Sequence, residues 1–266
     1  MSMGFRWDVD PELVRFGPLA VRYYGLLFAA AFIAGFYIIR WVFQREGRPA
    51  ADLDPLFGHM FVGTLVGARL GHCLFYDPEY YLLHPIDLVK IWEGGLASHG
   101  AVIGILVALW LFVRRRPATS YLWLLDRMVL AVAPGGALIR IGNFFNSEIL
   151  GTPTRVPWAV VFVRHNSIPR HPAQLYESLA YLCISCLLFA MYRRYGPRLR
   201  AGVLLGTFLV AVFGCRIAIE FVKLRQEAFV HSLPLNMGQL LSIPVVAAGV
   251  VLLLRAWRQR ETAGNP

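Results

Sequence analysis

The sequence predicts an all-α polytopic membrane protein: seven transmembrane helices, with a small periplasmic cap between spans four and five. Three observations predict this class. Of 266 residues, 57% are hydrophobic and only 16% charged, whereas about a quarter of the residues in a soluble domain are charged. Mean hydropathy is +0.54. The apolar residues fall into seven stretches of near-spanning length, and the basic residues concentrate in alternate loops. The aromatic content of 14% and the long apolar runs exclude disorder. A formal net charge of +10 would suit a nucleic-acid binder, but the hydropathy would not, so no nucleic-acid partner is expected.

The N-terminus reads MSMGFRWDVDPELVRFGPLAVR. Asp8, Asp10 and Glu12 precede any apolar run. That is not the basic n-region of a cleaved signal peptide, so the first span is expected to be retained. A spanning helix needs about 20 mostly apolar residues. The stretches that qualify are 20–43, 56–77, 96–113, 121–141, 174–192, 201–222 and 237–256. The fourth is the most polar, with Asp126, Arg127, Pro134 and Arg140. The segment 142–173 holds scattered Pro, Asn and Arg and a β-like run, VPWAVVFV. It is expected to form the cap, as an extramembrane insertion in a single transmembrane domain spanning 1–266. Cys183 and Cys186 form a C-x-x-C inside an apolar stretch, and Cys73 and Cys215 are isolated. Nothing nearby would lower a thiol pKa, so packing is the expected use. Neither a disulfide framework nor metal-site spacing emerges.

Basic residues set orientation. Loops 44–55, 114–120, 193–200 and 255–266 hold 12 Lys+Arg in 39 residues, and the opposite set holds 8 in 83. The first set, about three times denser, is expected to be cytoplasmic. The N-terminus and 142–173 then face outward and the C-terminus inward. The clusters Arg114-Arg115-Arg116 and Arg193, Arg194, Arg198, Arg200 read as topology signals resting on anionic lipid.

Six arginines remain inside spans: Arg22, Arg40, Arg69, Arg127, Arg140 and Arg216. Arg22 and Arg40 lie near ends and can snorkel. An arginine at the centre of a span costs at least about 2.5 kcal/mol on insertion scales, and such residues usually mark a substrate or ion path. That expectation attaches to Arg69, Arg127, Arg140 and Arg216.

Four polar constellations stand out. The stretch from Arg140 to Gly151, RIGNFFNSEILG, places Arg140, Asn143, Asn146 and Glu148 within nine residues. Gly142 and Gly151 permit close backbone approach. The structural alternative is an Arg140–Glu148 ion pair closing a helix end. Arg216 and Glu220 are four apart and would share a helix face; here the alternative is an internal salt bridge. Two guanidinium groups facing one cavity would match phosphate oxygens bidentately. His99, in GGLASHG, is the histidine best placed to act as a base near neutral pH, or else a hydrogen-bonded structural residue. RHPAQLYE opens the fifth span, and Gln174, Tyr176 and Glu177 are expected to point from its first turn into the bundle or its mouth. Tyr24 opens the first span as a site residue or an interface anchor. P-loop, G-x-S-x-G and dinucleotide fingerprints are absent from the sequence. These clusters together suggest a cationic, hydrogen-bonding cavity suited to an anionic lipid headgroup.

These residues resemble the bacterial phosphatidylglycerol–prolipoprotein diacylglyceryl transferases. The family signature resembles G-R-x-G-N-F-x-N-x-E-x-x-G, and residues 139–151 read IRIGNFFNSEILG. The resemblance covers nearly the whole chain through VRYYGLLF, GARLGHCLFYDPEYY, WEGGLASHGAVIG, RHPAQLYES, RIAIEF and NMGQLLSIP in that order. It implies transfer of a diacylglyceryl group from phosphatidylglycerol to the thiol of a lipobox cysteine in a preprolipoprotein. A thioether forms and glycerol-1-phosphate leaves, without a metal or other cofactor and without a required oligomer. By the same resemblance, His99, Arg140, Arg216 and Tyr24 match residues required for activity. Arg140, Asn143, Asn146, Glu148, Gly151, Arg216 and Glu220 match positions that bind phosphatidylglycerol or shape its site. His171, Gln174, Tyr176 and Glu177 are candidate lining residues.

The chain departs from the family pattern at several positions. Ile139 replaces the first signature glycine. Val212, beside Phe213, stands where a tyrosine is common. Lys223 replaces a common arginine, and LRQEAF follows in place of a Pro-Asp type segment. Two other readings of the same cavity are a lipid transporter or scramblase, which would move lipid without a covalent product, and a structural scaffold. The sequence shows no repeated halves, which weighs against a transporter with internal symmetry.

Overall fold

The structure, a computed structural model, describes residues 4–17, 19–91, 94–224 and 235–263. Trp92 and Glu93 of the WEGGLASHG motif, residues 225–229 of LRQEAF and the end of the basic tail lie outside the described residues.

The molecule is mostly helical. The long helices are α1 (Tyr23–Arg45), α2 (Leu53–Phe75), α4 (Ser98–Arg114), α5 (Tyr121–Phe145), α6 (Ala173–Tyr195), α7 (Val203–Ile219) and α8 (Met237–Ala263), with a short α3 (Pro78–Leu83) after α2. Each long helix overlies one of the seven apolar stretches. Five of them (α1, α5, α6, α7 and α8) are long and apolar enough to cross a membrane. Of the other two, α4 is apolar but has 17 residues, and α2 is diluted by Asp54, His59, Arg69 and His72. Large apolar side chains such as Ile33, Val66, Val102, Leu179 and Leu241 are exposed along these helices. Exposed apolar surface on this scale suits lipid rather than water. These features make the chain a polytopic helical membrane protein.

The all-α expectation fails at the ends of the helices. The sequence places the start of the first span at residue 20, but β3 (Leu19–Arg22) pairs antiparallel with β2 (Glu12–Phe16). The alternating ELVRF and LAVR segments favour strand pairing. Gly17 turns the chain between them at φ +58°, a conformation glycine adopts without steric cost. Helix α1 therefore begins at Tyr23, and Arg22 reaches across to Glu12 at 3.4 Å. The β-like run VPWAVVFV does supply a strand, β4 (Val160–Phe162). It lies parallel to β1 (Phe5–Trp7) and antiparallel to β5 (Pro169–Arg170). Phe144, Leu150, Val160 and Phe162 form the small core beneath, with Trp7 and Leu224 against it. Segment 142–173 is thus completed by the N-terminal strand, and its first residues belong to α5.

The chain divides into two compact units. The first is Val42–Leu125. In it α2 and α4 cross backbone to backbone. A Cβ added to Gly63 would sit 2.6 Å from Ala108 Cβ, and one added to Gly100 would sit 2.7 Å from Gly71 Cα. Only hydrogen fits at such a crossing. An apolar groove of about 630 Å³ runs along these glycines. At the other end of the unit, Arg116 pairs with Asp52 at 2.5 Å. The Arg48 guanidinium lies 4.1 Å over the Trp123 ring.

The second unit comprises Met1–Trp41 and Asp126–Pro266, with α5 its most buried helix. Asp126 and Arg127 of α5 are fully buried and paired at 2.5 Å. Asp126 also accepts from Gly202 N (2.8 Å) and Leu205 N (2.9 Å). It thereby satisfies orphan amides at the start of α7. Arg127 donates to Leu199 O at 3.2 Å. Arg127, expected from sequence to mark a substrate path, instead ties down the α6–α7 turn.

Candidate functional site

In the second unit, four segments bring charged side chains together. The last turns of α5 present Arg140 and Asn143, and the chain then turns sharply through Ser147 and Ile149, both at positive φ. This turn brings Glu148 back over α5, where Glu148 N donates to Asn143 O at 3.0 Å. Asn143 Nδ2 and Asn146 Nδ2 each donate to the Glu148 carboxylate at 3.1 Å. Arg140 Nη1 donates to Asn143 Oδ1 at 3.3 Å. The signature is therefore a relay in which Asn143 stands between Arg140 and Glu148.

The carboxylate that neutralises Arg140 is Glu177, on the first turns of α6. Arg140 Nε lies 3.1 Å from Glu177 Oε2. Oε2 has no aligned hydrogen bond, so the contact is an ion pair rather than an in-line bond. The other oxygen, Oε1, accepts from Lys223 Nζ at 2.9 Å, and Lys223 also reaches Glu220 Oε2 at 3.2 Å. Glu177 is 1% and Lys223 6% exposed, so this chain of charges is shielded from solvent. The Arg140–Glu148 ion pair considered from sequence does not form.

The Arg216–Glu220 pair does not form either. Helix α7 ends at Ile219 and tightens into a 3-10 turn over Glu220–Val222. Glu220 N still bonds to Arg216 O, but the 3-10 turn that follows brings Lys223 three residues on to the Glu220 carboxylate at 3.2 Å. The Glu220 carboxylate also packs against Gly238, where a Cβ would lie 2.6 Å away. Arg216 makes no ion pair among the described residues, and its buried Nε lacks a hydrogen-bond partner. The charges of Arg140 and Arg216 both reach the Tyr181 phenol. Tyr181 escaped the sequence reading, although its place one turn after Glu177 in YESLAY was a usable signal.

Tyr24, at the start of α1, lies near enough to Arg140 and Glu148 to feel both charges. Its ring covers Gly142, where a Cβ would meet Tyr24 Cδ2 at 2.8 Å. Gln174 is fully buried and donates Nε2 to Glu148 O. Its Oε1, like Asn146 Oδ1, is buried without a partner. Gly151 presses against the His171 backbone and bridges to Lys223. His171 and Tyr176 bond each other at 3.1 Å, and Trp158 donates to Tyr176 at 2.7 Å. They form a group of their own, without a hydrogen bond to Arg140. His99 belongs to the first unit, where it is exposed in the first turn of α4. Among the described residues no group of His, Cys, Asp and Glu could hold a metal. The cysteines are free.

The second unit's cluster balances Arg140, Arg216 and Lys223 against Glu148, Glu177 and Glu220. Among the described residues, its buried atoms without a hydrogen-bond partner include Arg216 Nε and the amide oxygens of Asn146 and Gln174. A buried donor without a partner costs about 1–3 kcal/mol, more when charged. Such atoms can pair with an anionic group and with hydroxyls.

The fold and this cluster define a polytopic helical membrane protein with a buried group of charged side chains. The family model for prolipoprotein diacylglyceryl transferase matches residues 11–255. Two relatives named phosphatidylglycerol–prolipoprotein diacylglyceryl transferase are 48% identical. The one from Chloroherpeton thalassium aligns over 96% of this chain and 95% of its own length, and the one from Tolumonas auensis over 96% and 98%. A relative of the same name from Porphyromonas gingivalis is 44% identical over 94% of each. The chain belongs to the prolipoprotein diacylglyceryl transferase family.

Proposed function

We propose that the protein transfers the sn-1,2-diacylglyceryl group of phosphatidylglycerol to the lipobox cysteine thiol of a preprolipoprotein, the first step of bacterial lipoprotein modification. The thiolate attacks the glycerol carbon that bears the phosphate ester. A C–S bond forms, the C–O bond breaks, and glycerol-1-phosphate leaves with the bonding pair. Within the site, the observation that carries this reading is Arg216, whose buried Nε is unpaired while Arg140 nearby is held by Glu177.

In this reading Arg140 and Arg216 hold the phosphate. Negative charge grows on the leaving oxygen, so fixed guanidinium groups stabilise the transition state more than the bound lipid. His99 takes the thiol proton, since thiolate is the nucleophile, and a positioned base contributes roughly 10²–10⁴-fold. Asn143 and Glu148 orient the headgroup. The free acceptors of Asn146 and Gln174 receive its hydroxyls, and Gly142 and Gly151 shape the floor. Tyr24 and Glu220 complete the wall, with His171, Tyr176 and Glu177 around it. The reaction needs no metal, redox cofactor or oligomer.

The membrane arrangement we propose adds α2 and α4 to the five apolar helices, giving seven spans in one domain over 1–266. Helix α4 is near the minimum span length, and α2 buries Arg69 on its inner face. The density of basic residues places the C-terminus in the cytoplasm. The N-terminus and the small sheet, including 142–173, then face the periplasm of the inner membrane.

The test is direct. Purified protein in phosphatidylglycerol vesicles is incubated with a lipobox peptide, and the peptide is weighed by mass spectrometry. A gain of one diacylglyceryl unit on the cysteine is expected. Folded protein that moves lipid across the vesicle but leaves the peptide mass unchanged would refute the transferase reading in favour of transport.

A further inference from the structure

We infer that Arg69 is a positioning residue for His99: it clamps the backbone loop that leads into α4 and so fixes where the imidazole stands. The inference rests on the proposal above that His99 takes the thiol proton.

Arg69 lies in α2 and is 4% exposed. Its guanidinium donates to four backbone carbonyls: Nε to Leu88 O (3.0 Å) and Nη2 to Asp87 O (2.5 Å) in the 3-10 turn Pro85–Val89, and Nη1 to Gly94 O (2.6 Å) and Gly95 O (3.4 Å) in the loop ahead of α4. It also stacks 5.1 Å from the Tyr81 ring centroid. Among the described residues it pairs with no carboxylate. Four of its five N–H groups are committed, so no fork edge is left for a phosphate. Its role differs from the substrate-path role expected of a mid-span arginine.

The clamped loop runs directly into the candidate base. Gly94 and Gly95 turn at φ +91° and +69°. A Cβ on Gly95 would lie 2.6 Å from His72 Cδ2 and 2.8 Å from Arg69 Nη1, so the loop is seated on α2 without slack. Ala97 N then donates to Ala68 O at 2.9 Å. Ser98 opens α4, His99 follows, and Gly100 is locked against Gly71 of α2. The backbone is therefore fixed to α2 on both sides of His99, while the imidazole itself is exposed. Arg69 supplies most of the hydrogen bonds on the upstream side. A small misplacement of a catalytic group can cost about 100-fold in rate.

The test compares Arg69→Lys and Arg69→Gln with wild type, as full-length protein in phosphatidylglycerol vesicles with a lipobox peptide. Both variants are expected to lower kcat by about 10–100-fold with the KM for phosphatidylglycerol little changed. Lysine should rescue nothing, because one ammonium cannot span the four carbonyls a planar fork reaches. Hydrogen exchange should show lost protection at residues 97–101, with the other helices unchanged. Wild-type activity in Arg69→Lys overturns the clamp, and so does a raised KM at unchanged kcat, which would put the guanidinium on lipid. Loss of protection throughout the molecule also overturns it. If neither variant folds, Gly95→Ala decides, since its Cβ pushes the loop off Arg69. The same kcat loss and local exchange are expected, and wild-type behaviour overturns the inference. A wild-type protein that yields no thioether sinks the transferase reading instead, and the exchange data would still report on the clamp.

Discussion

Glu177→Gln probes the charge chain at its most connected point. The side chain is 1% exposed and touches two cations, Arg140 at 3.1 Å and Lys223 at 2.9 Å. Glutamine keeps the shape and removes the charge. Stripping one partner from a buried ion pair typically costs about 3–5 kcal/mol. Here each cation keeps a second acceptor: Asn143 for Arg140 and Glu220 for Lys223. A hydrogen bond to a charged partner contributes about 1.5–3 kcal/mol and a neutral one about 1. Weakening two such contacts therefore costs about 1–4 kcal/mol. If about 2 kcal/mol of that is lost from the fixed orientation of Arg140, transfer slows roughly thirtyfold. The cluster's formal charge moves from neutral to +1, so the apparent affinity for the anionic lipid should hold or improve. The signature is thus a fall in kcat without a rise in KM, alongside a lower thermal midpoint. The assay is peptide mass gain at varied phosphatidylglycerol fraction, paired with thermal unfolding in the same vesicles. Adding Lys223→Met to Glu177→Gln should lower stability further, because Glu220 then loses its cation. Unchanged kcat and unchanged melting would refute the reasoning, and so would a rise in KM alone, since Glu177 would then be a lipid contact.

Two further outcomes follow from the geometry. Gly151→Ala places a Cβ against the His171 backbone, with His171 Cβ 2.7 Å away. Backbone cannot swing aside, so a loss of at least about 1–3 kcal/mol is expected, with transfer activity falling with the thermal midpoint; a wild-type melt would contradict it. The N-terminal hairpin should loosen in acid. Asp10 is held below its ordinary value by the Glu12 amide and by Arg164, and Glu12 is held down by Arg15 and then Arg22. Carboxylates depressed in the folded state contribute stability above their unfolded values of 3.8 and 4.5, and that contribution is lost as pH falls through the lower folded values. Proteolysis or exchange at residues 4–17 should therefore stay flat from neutral pH down to about 5 and rise below it. Loosening that begins above pH 6 would be the wrong sign.

The long helices were readable from the seven apolar stretches because length and hydropathy are local sums over the sequence, and five of them are long and apolar enough to cross a membrane. Their edges moved by a few residues where a competing pairing intervened, as when Leu19–Arg22 joined a hairpin. The β-like run VPWAVVFV was visible in its composition, but its parallel partner Phe5–Trp7 was not. That pairing spans more than 150 residues, and no local pattern encodes it. The roles of Arg69 and Arg127 were misjudged for a related reason. The rule that a mid-span arginine marks a path assumes that the protein has nothing else to offer it. Here backbone carbonyls absorb Arg69, and Asp126 with Leu199 O absorbs Arg127.

Within the site, both ion pairs considered from sequence were taken along one stretch of chain, Arg140 with Glu148 and Arg216 with Glu220. Neither forms, because the pairing runs between helices. Glu177 on α6 takes Arg140. Lys223, one of the departures from the family pattern, occupies both Glu177 and Glu220. The consequence falls on Arg216. With Glu220 drawn to Lys223 by the 3-10 turn, Arg216 has a buried donor and no carboxylate among the described residues. A buried donor without a partner is costly, and in the proposed reaction the lipid phosphate removes that cost while Arg140 stays in place. In the proposed reaction the two arginines then differ in kind: Arg140 is preorganised by Glu177, and Arg216 supplies the unmet charge that favours an anionic lipid. Lys223 is what makes them differ, so it belongs to the site as much as the arginines do.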